Sequence, residues 1–130
     1  MKIHRVTLLL IFGLFITSCE KKLFNYRNKY LGDWEFKVNV YEHNIDSLGS
    51  QFNDSFIYQG QIKYGVNDDE LLIEYSNDDV ITLKINTEGE VTTNLGFGTC
   101  TFDNNEDVEI HLKWGGMGAF IIHDINGVKQ

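Results

Sequence analysis

The chain has 130 residues and a net charge of −8, from 11 basic and 19 acidic side chains. This length fits one small domain that can bury a hydrophobic core of its own. The acidic balance argues against nucleic acid as a partner, because nucleic-acid-binding domains carry basic surface patches.

The first eighteen residues have the pattern of a secretory signal. Lys2 and Arg5 form a basic start, residues 6–16 are an almost unbroken apolar run, and the small residues Thr17 and Ser18 follow. A signal peptide has this order, with basic residues first, then an apolar run and then small residues. The apolar run is about half the length of a bilayer-spanning helix, which needs roughly 20 residues, so a transmembrane anchor is disfavoured.

A cysteine, Cys19, follows this segment. Ile16-Thr17-Ser18-Cys19 resembles the lipobox of bacterial lipoproteins, in which the cysteine is acylated and becomes the first residue of the mature chain. The resemblance implies a signal-peptide helix within residues 1–18 and a lipid-attachment site for palmitate-type chains at Cys19. A signal cleaved without lipidation would instead end in an A-x-A-like site. A disulfide between Cys19 and Cys100 is the other alternative, whereas acylation leaves Cys100 as a free thiol.

Residues 19–29 are predicted to be a lipidated tether. Its four basic residues contrast with the rest of the chain, which has 5 basic and 18 acidic residues from Tyr30 onward. The basic residues are Lys21, Lys22, Arg27 and Lys29. A basic tether can rest against anionic lipid headgroups while an acidic body is repelled from them. The alternative is that these residues only keep a linker soluble.

Residues 30–130 are predicted to form one β domain. Apolar and polar residues alternate in short segments, as in half-buried strands, and turn-forming residues separate the segments. The predicted strands are centred on residues 34–40, 56–64, 71–75, 81–85, 91–94, 96–102, 108–114 and 119–125. This spacing predicts an all-β fold, a small antiparallel eight-stranded barrel, with a sandwich as the alternative.

The start of the first predicted strand adds a family resemblance. Gly32-Asp33-Trp34 resembles the G-x-W motif of lipocalins and of shorter lipocalin-like barrels, and residues 30–36 together with the lipobox are similar to small lipoproteins of the Bacteroidota. The resemblance implies a lipocalin-like barrel in which Trp34 packs across the closed end, and attachment to the outer membrane of the bacterial cell envelope. The chain departs from true lipocalins because it is short and has no clear carboxy-terminal helix. Side chains can fill the interior of so small a barrel.

These features predict a lipid-anchored binding domain without catalytic activity. The expected ligand is an apolar small molecule, and Trp34 and Phe36 are its candidate contacts, although Trp34 also fits the role of a core aromatic. The alternative is a protein-interaction module, either an inhibitor or an accessory subunit of an envelope complex. Its acidic body would be steered towards a basic partner.

The histidines do not predict a metal site. In a hairpin between the last two strands, His111 would share the outward face with Glu109 and Lys113, whereas His123 would lie on the more apolar face. A third histidine, His43, is expected at a strand end. Because the three have no convergent spacing, no metal and no cofactor are predicted.

Catalytic and calcium motifs are also missing from the sequence. Residues 103–107 begin like a calcium loop, but Val108 and Trp114 stand where the turn glycine and the bidentate glutamate are needed. A plain acidic turn is the better interpretation. Cys100 has no basic neighbour that would lower its pKa, so it is expected to be structural rather than nucleophilic. The sequence therefore predicts that the protein is not an enzyme.

Overall fold

The computed structural model describes residues 24–44, 50–96 and 98–130. The predicted signal-peptide helix and the predicted lipid-attachment residue Cys19 lie outside these residues. Within them the chain forms one short 3-10 helix (Tyr26–Lys29) and seven strands. The strands are β1 (Gly32–Asn44), β2 (Ser50–Tyr64), β3 (Glu70–Glu74), β4 (Val80–Lys84), β5 (Thr99–Asp103), β6 (Asp107–Gly115) and β7 (Ala119–Lys129).

The seven strands form a single antiparallel sheet that curls into a half-barrel. Their order across the sheet is β4-β3-β2-β1-β7-β6-β5, with β1 at the centre between β2 and β7. The predicted all-β class is therefore confirmed. For the described residues, one continuous sheet excludes the two-sheet sandwich that the sequence left as an alternative.

The alternating pattern of β1 explains how the sheet acquires a buried concave face. Trp34, Phe36 and Val38 point to this face and are completely buried, while Asp33 and Lys37 point outward and are exposed. Successive side chains of a strand lie on opposite faces, so one apolar series per strand is enough to build a common core. The matching apolar residues of the other strands complete the same core.

Residues 91–94, predicted as the fifth of eight strands, do not form a strand. Val91 makes only an isolated bridge to Ile85, and the Thr92 N–H donates to the Lys84 carbonyl over 2.8 Å. The next ladder position is taken by a side chain, because the Lys84 N–H donates to the hydroxyl of Thr93. This side-chain acceptor replaces a backbone carbonyl and ends the pairing.

The two ends of the half-barrel differ in what covers them. The 3-10 helix lies at the end where β1 begins, and there the Tyr26 hydroxyl donates to the Ile85 carbonyl over 3.0 Å. We call this the closed end. The opposite end, where β1 reaches Asn44 and β6 turns into β7, is called the open end. No helix among the described residues combines the length and the apolar character that a bilayer span requires.

Candidate functional site

The closed half of the concave face is filled by aromatic side chains. Trp34 is 0 % exposed, and its indole N–H donates to the Tyr30 carbonyl over 2.8 Å. Its ring stacks on Phe36, with ring centroids 6.2 Å apart, and meets Phe102 edge-on. Because the indole is fully packed and its one donor is satisfied, Trp34 is a core residue at this end.

Phe36 is enclosed as tightly as Trp34. Gly127 on β7 is its cross-strand partner, and Gly60 on β2 is diagonal to it. A Cβ added to either glycine would lie within 3.0 Å of the Phe36 ring. The two glycines therefore let the ring lie flat between β2 and β7. The sequence proposed Trp34 and Phe36 as ligand contacts. That proposal stays a prediction, and in the structure both side chains contact other core residues.

A buried arginine attaches the amino-terminal segment to the closed end. Arg27 is 1 % exposed, and its guanidinium donates to the carbonyls of Asn67 and Glu70 over 2.9 and 2.6 Å. It also lies over the Tyr64 ring, 4.5 Å from the centroid, and donates to the side chain of Asn25. Arg27 is therefore not one of the solvated basic residues of a tether, and the folded part of the chain already includes the 3-10 helix.

The carboxylate of Glu70 supports the same attachment. Asn67 donates to it from its side chain over 2.6 Å and from its backbone over 3.0 Å. These bonds favour the ionised form and lower the pKa of Glu70. They hold the β2–β3 turn in place, and carbonyls at this turn accept hydrogen bonds from the Arg27 guanidinium.

The open half of the concave face carries polar side chains next to apolar ones. The Tyr75 hydroxyl and His123 Nδ1 are hydrogen-bonded at 3.1 Å, which joins the residue after β3 to β7 across the concave side. Trp114 on β6 meets the His123 ring edge to face, 4.8 Å between centroids. Trp114 is 45 % exposed, so part of its indole is accessible to solvent.

The register places an apolar residue between an acid and an aromatic ring at this end. Ile121 on β7 is the cross-strand partner of both Glu42 on β1 and Trp114 on β6. The three residues form one row across the open end, and Ile121 is 38 % exposed. Since neighbouring strands are about 4.8 Å apart, the backbones of Glu42 and Trp114 are separated by roughly 10 Å.

Burial favours the neutral form of the His123 imidazole. Burial lowers the pKa of His123, and the nearby carboxylates of Asp79 and Glu42 oppose this effect without overcoming it. Burial also raises the pKa of Tyr75, and Asp79 adds to that shift. The two side chains are therefore a neutral hydrogen-bonded pair beside two carboxylates. We define the open-end surface as Glu42, Asp79, Trp114, Ile121 and His123. Tyr75 is 1 % exposed and contacts His123 from the core.

The hairpin between β6 and β7 fixes which histidines face this surface. The Gly116 N–H donates to the Ala119 carbonyl over 2.9 Å, and Gly115 has a φ of 101°, which favours glycine. The predicted hairpin is confirmed. His123 lies on the concave face, and His111 lies on the outer face, where its Nδ1 is 2.5 Å from Asp124.

The remaining candidate groups do not assemble into a reactive site. His43 contacts the Phe120 ring, and no group of three metal-ligating side chains occurs among the described residues. Cys100 is a free thiol, and burial raises its pKa to about 12, which keeps it protonated. The acidic segment after Asp103 forms a tight turn, in which the Glu106 N–H donates to the Asp103 carbonyl over 3.2 Å.

Sequence reasoning did not single out Glu42, Tyr75 or Trp114. The alternation of β6 was a usable signal for Trp114, because it shares a face with Leu112 and continues the core pattern past the buried part of the sheet. The Tyr75–His123 contact had no such signal, since it depends on how strongly the sheet curls. Comparison with protein-family models, with curated proteins and with solved structures gave no match.

Proposed function

We propose that this chain is a lipid-anchored lipoprotein of the bacterial cell envelope whose lipocalin-like β domain binds an apolar small ligand without catalysing a reaction. The observation that carries this proposal is the contrast within the concave face. Trp34 is fully buried at one end, whereas Trp114 and Ile121 are partly exposed at the other. Partly exposed apolar side chains grouped with a few polar groups are characteristic of ligand sites.

The anchor in this proposal is an acyl group on Cys19, which the resemblance of residues 16–19 to a lipobox supports. Cys19 precedes the 3-10 helix by seven residues, a distance of at most about 25 Å if fully extended. Arg27 attaches that helix to the closed end. In this proposal the closed end is the end nearer the membrane, and the open-end surface is directed away from it. Outer-membrane attachment follows from the resemblance to Bacteroidota lipoproteins.

A protein-interaction module is the second candidate, and the β6–β7 hairpin favours it. Met117 at the hairpin tip is 97 % exposed and lies three residues from the partly exposed Trp114. Methionine and tryptophan are enriched where proteins bind one another. An inhibitor or accessory subunit would use this tip on a partner in the envelope, towards which the acidic domain would be steered if that partner is basic.

The anchor is tested by growing cells with labelled palmitate and comparing Cys19→Ser with Cys100→Ser. We expect the wild-type chain and Cys100→Ser to incorporate label and to remain in the membrane fraction. Cys19→Ser should incorporate none and should keep its signal segment. Label in the Cys19→Ser protein, or none in the wild type, would contradict the lipid anchor.

The ligand is tested by native mass spectrometry of protein purified from envelopes. We expect a bound small molecule in the wild type and its loss from the double variant Trp114→Ala/Ile121→Ala, while the outer-face variant Ile57→Ala retains it. A stoichiometric protein in place of the small molecule would support the interaction module. Protein that is consistently free of both would contradict the proposed function.

A further inference from the structure

We propose that the ligand of the open-end surface is an organic cation, with its positive charge held between Glu42 and Trp114 and its apolar part against Ile121. This inference rests on the proposed function of the surface and adds the charge of its ligand. It predicts a quaternary or primary alkylammonium as the class of compound that the surface recognises.

The open half of the concave face is negatively charged. It contains the carboxylates of Glu42 and Asp54, and Asp79 acts on His123 from the end of the β3–β4 turn. Among the described residues of β1, β2, β6 and β7, one basic residue, Lys129, lies on the concave register. It is at the closed end and donates to the Lys29 carbonyl over 2.7 Å. The open half therefore attracts cations and repels anions.

Among the residues that the structure describes, no basic side chain forms an ion pair with Glu42. The ion pairs of the described residues use Asp68, Asp69, Glu74 and Asp124, and none uses Glu42. Burial also disfavours a positive charge on His123, since it lowers the pKa of the imidazole. A neutral or anionic ligand that covered this carboxylate would remove water without compensating its charge, whereas a cation compensates it.

Trp114 is the aromatic residue of the same row. An indole is the aromatic ring that attracts a cation most strongly, and the exposed part of Trp114 is available for that contact. Trp114 stands across Ile121 from Glu42, at a separation that the width of two strand spacings fixes at roughly 10 Å. A carboxylate and an indole on either side of an apolar side chain suit a cation that carries an apolar group.

The inference is tested with three water-soluble probes that share a benzyl group and differ in charge. They are benzyltrimethylammonium, benzyl alcohol and phenylmethanesulfonate. Binding is measured by calorimetry to the lipidated protein in phosphatidylcholine nanodiscs, with empty nanodiscs as the reference. We expect the ammonium to bind at least about tenfold more tightly than the alcohol, and the sulfonate to bind least.

Two variants locate the effect. Glu42→Gln should remove most of the preference for the ammonium over the alcohol, while Glu109→Gln, which removes a carboxylate from the outer face of β6, should leave that preference unchanged. Equal binding of all three probes, or a preference that survives Glu42→Gln, would overturn the charge inference and leave the apolar binding site standing. If no probe binds, the charge inference is overturned, and the molecule found by native mass spectrometry decides the proposed function independently.

Discussion

The two tryptophans of the chain lie on the same concave face, at opposite ends of the half-barrel, and in opposite environments. Trp34 is fully buried, and its indole N–H is hydrogen-bonded to a backbone carbonyl. Trp114 is almost half exposed, contacts the ring of His123 and lies across Ile121 from Glu42. The alternation of a strand determines which face a side chain occupies, and the structures that close each end determine whether it is core or surface.

The polar groups at the two ends differ in the same way. At the closed end the buried guanidinium of Arg27 meets side-chain and backbone oxygens, and among the described residues no buried side-chain polar atom lacks a partner. At the open end, burial of His123 competes with two carboxylates that favour its protonation. The first arrangement stabilises the fold. The second keeps charge and exposed apolar area together, which fits binding better than stability.

The largest expected effect is the difference in the free energy of unfolding between substitutions of the two tryptophans. Trp34→Ala should lower the free energy of unfolding by about 3–5 kcal/mol, because it leaves a large cavity in the core. Trp114→Ala should cost less than about 1 kcal/mol, since its side chain is partly exposed. Urea denaturation of both variants measures the difference. Similar losses for the two substitutions would contradict the assignment of one end to the core and the other to the surface.

The next effect concerns the attachment of the 3-10 helix. Arg27→Met should destabilise the protein by about 1.5–3 kcal/mol, because the carbonyls of Asn67 and Glu70 lose a charged donor. Lys29→Met, two residues away and exposed, should change the free energy of unfolding by less than about 0.5 kcal/mol. If the two variants are equally stable, Arg27 does not hold this segment to the closed end.

The smallest effect is a pH dependence that arises at the open end. The pKa of His123 is lowered in the folded state, so below its ordinary value of 6.5 the unfolded chain binds the proton more readily. This contribution to stability is complete above pH 6.5 and is lost as the pH falls towards the lower folded pKa. We expect His123→Gln to flatten the decline in stability below about pH 6.5, as followed by thermal unfolding.

The groups around His123 determine what the pH dependence of His123→Gln means. Tyr75 and Trp114 face it from two sides, and the carboxylates of Glu42 and Asp79 favour the protonated form. Tyr75→Phe is therefore a useful comparison, because it removes the hydrogen bond and leaves the imidazole in place. If His123→Gln declines with pH as steeply as the wild type, the acid sensitivity originates in other groups.

Much of the fold could be predicted from the sequence because local patterns determine it. The alternation in β1 and the glycine-rich turn before β7 gave the strand faces and the hairpin that the structure contains. Residues 91–94 have a similar alternation, but the hydroxyl of Thr93 takes the place of a backbone acceptor, and no pattern of hydropathy reveals that substitution.

The site was less predictable because its residues meet through the curvature of the sheet. Tyr75 and His123 are 48 residues apart and touch only because the strands between them curl. Arg27 shows the same limit at the other end. In the sequence it is one of four neighbouring basic residues, and its burial depends on carbonyls about 40 residues later in the chain.

The most direct test of the account follows the indole N–H resonances of Trp34 and Trp114 while benzyltrimethylammonium is added to the ¹⁵N-labelled lipidated protein. Each end of the half-barrel then has one reporter. We expect the Trp114 resonance to shift in a saturable manner and the Trp34 resonance to stay in place. A saturable shift of Trp34 with Trp114 unchanged, or no shift of either resonance, would contradict the placement of the ligand site at the open end.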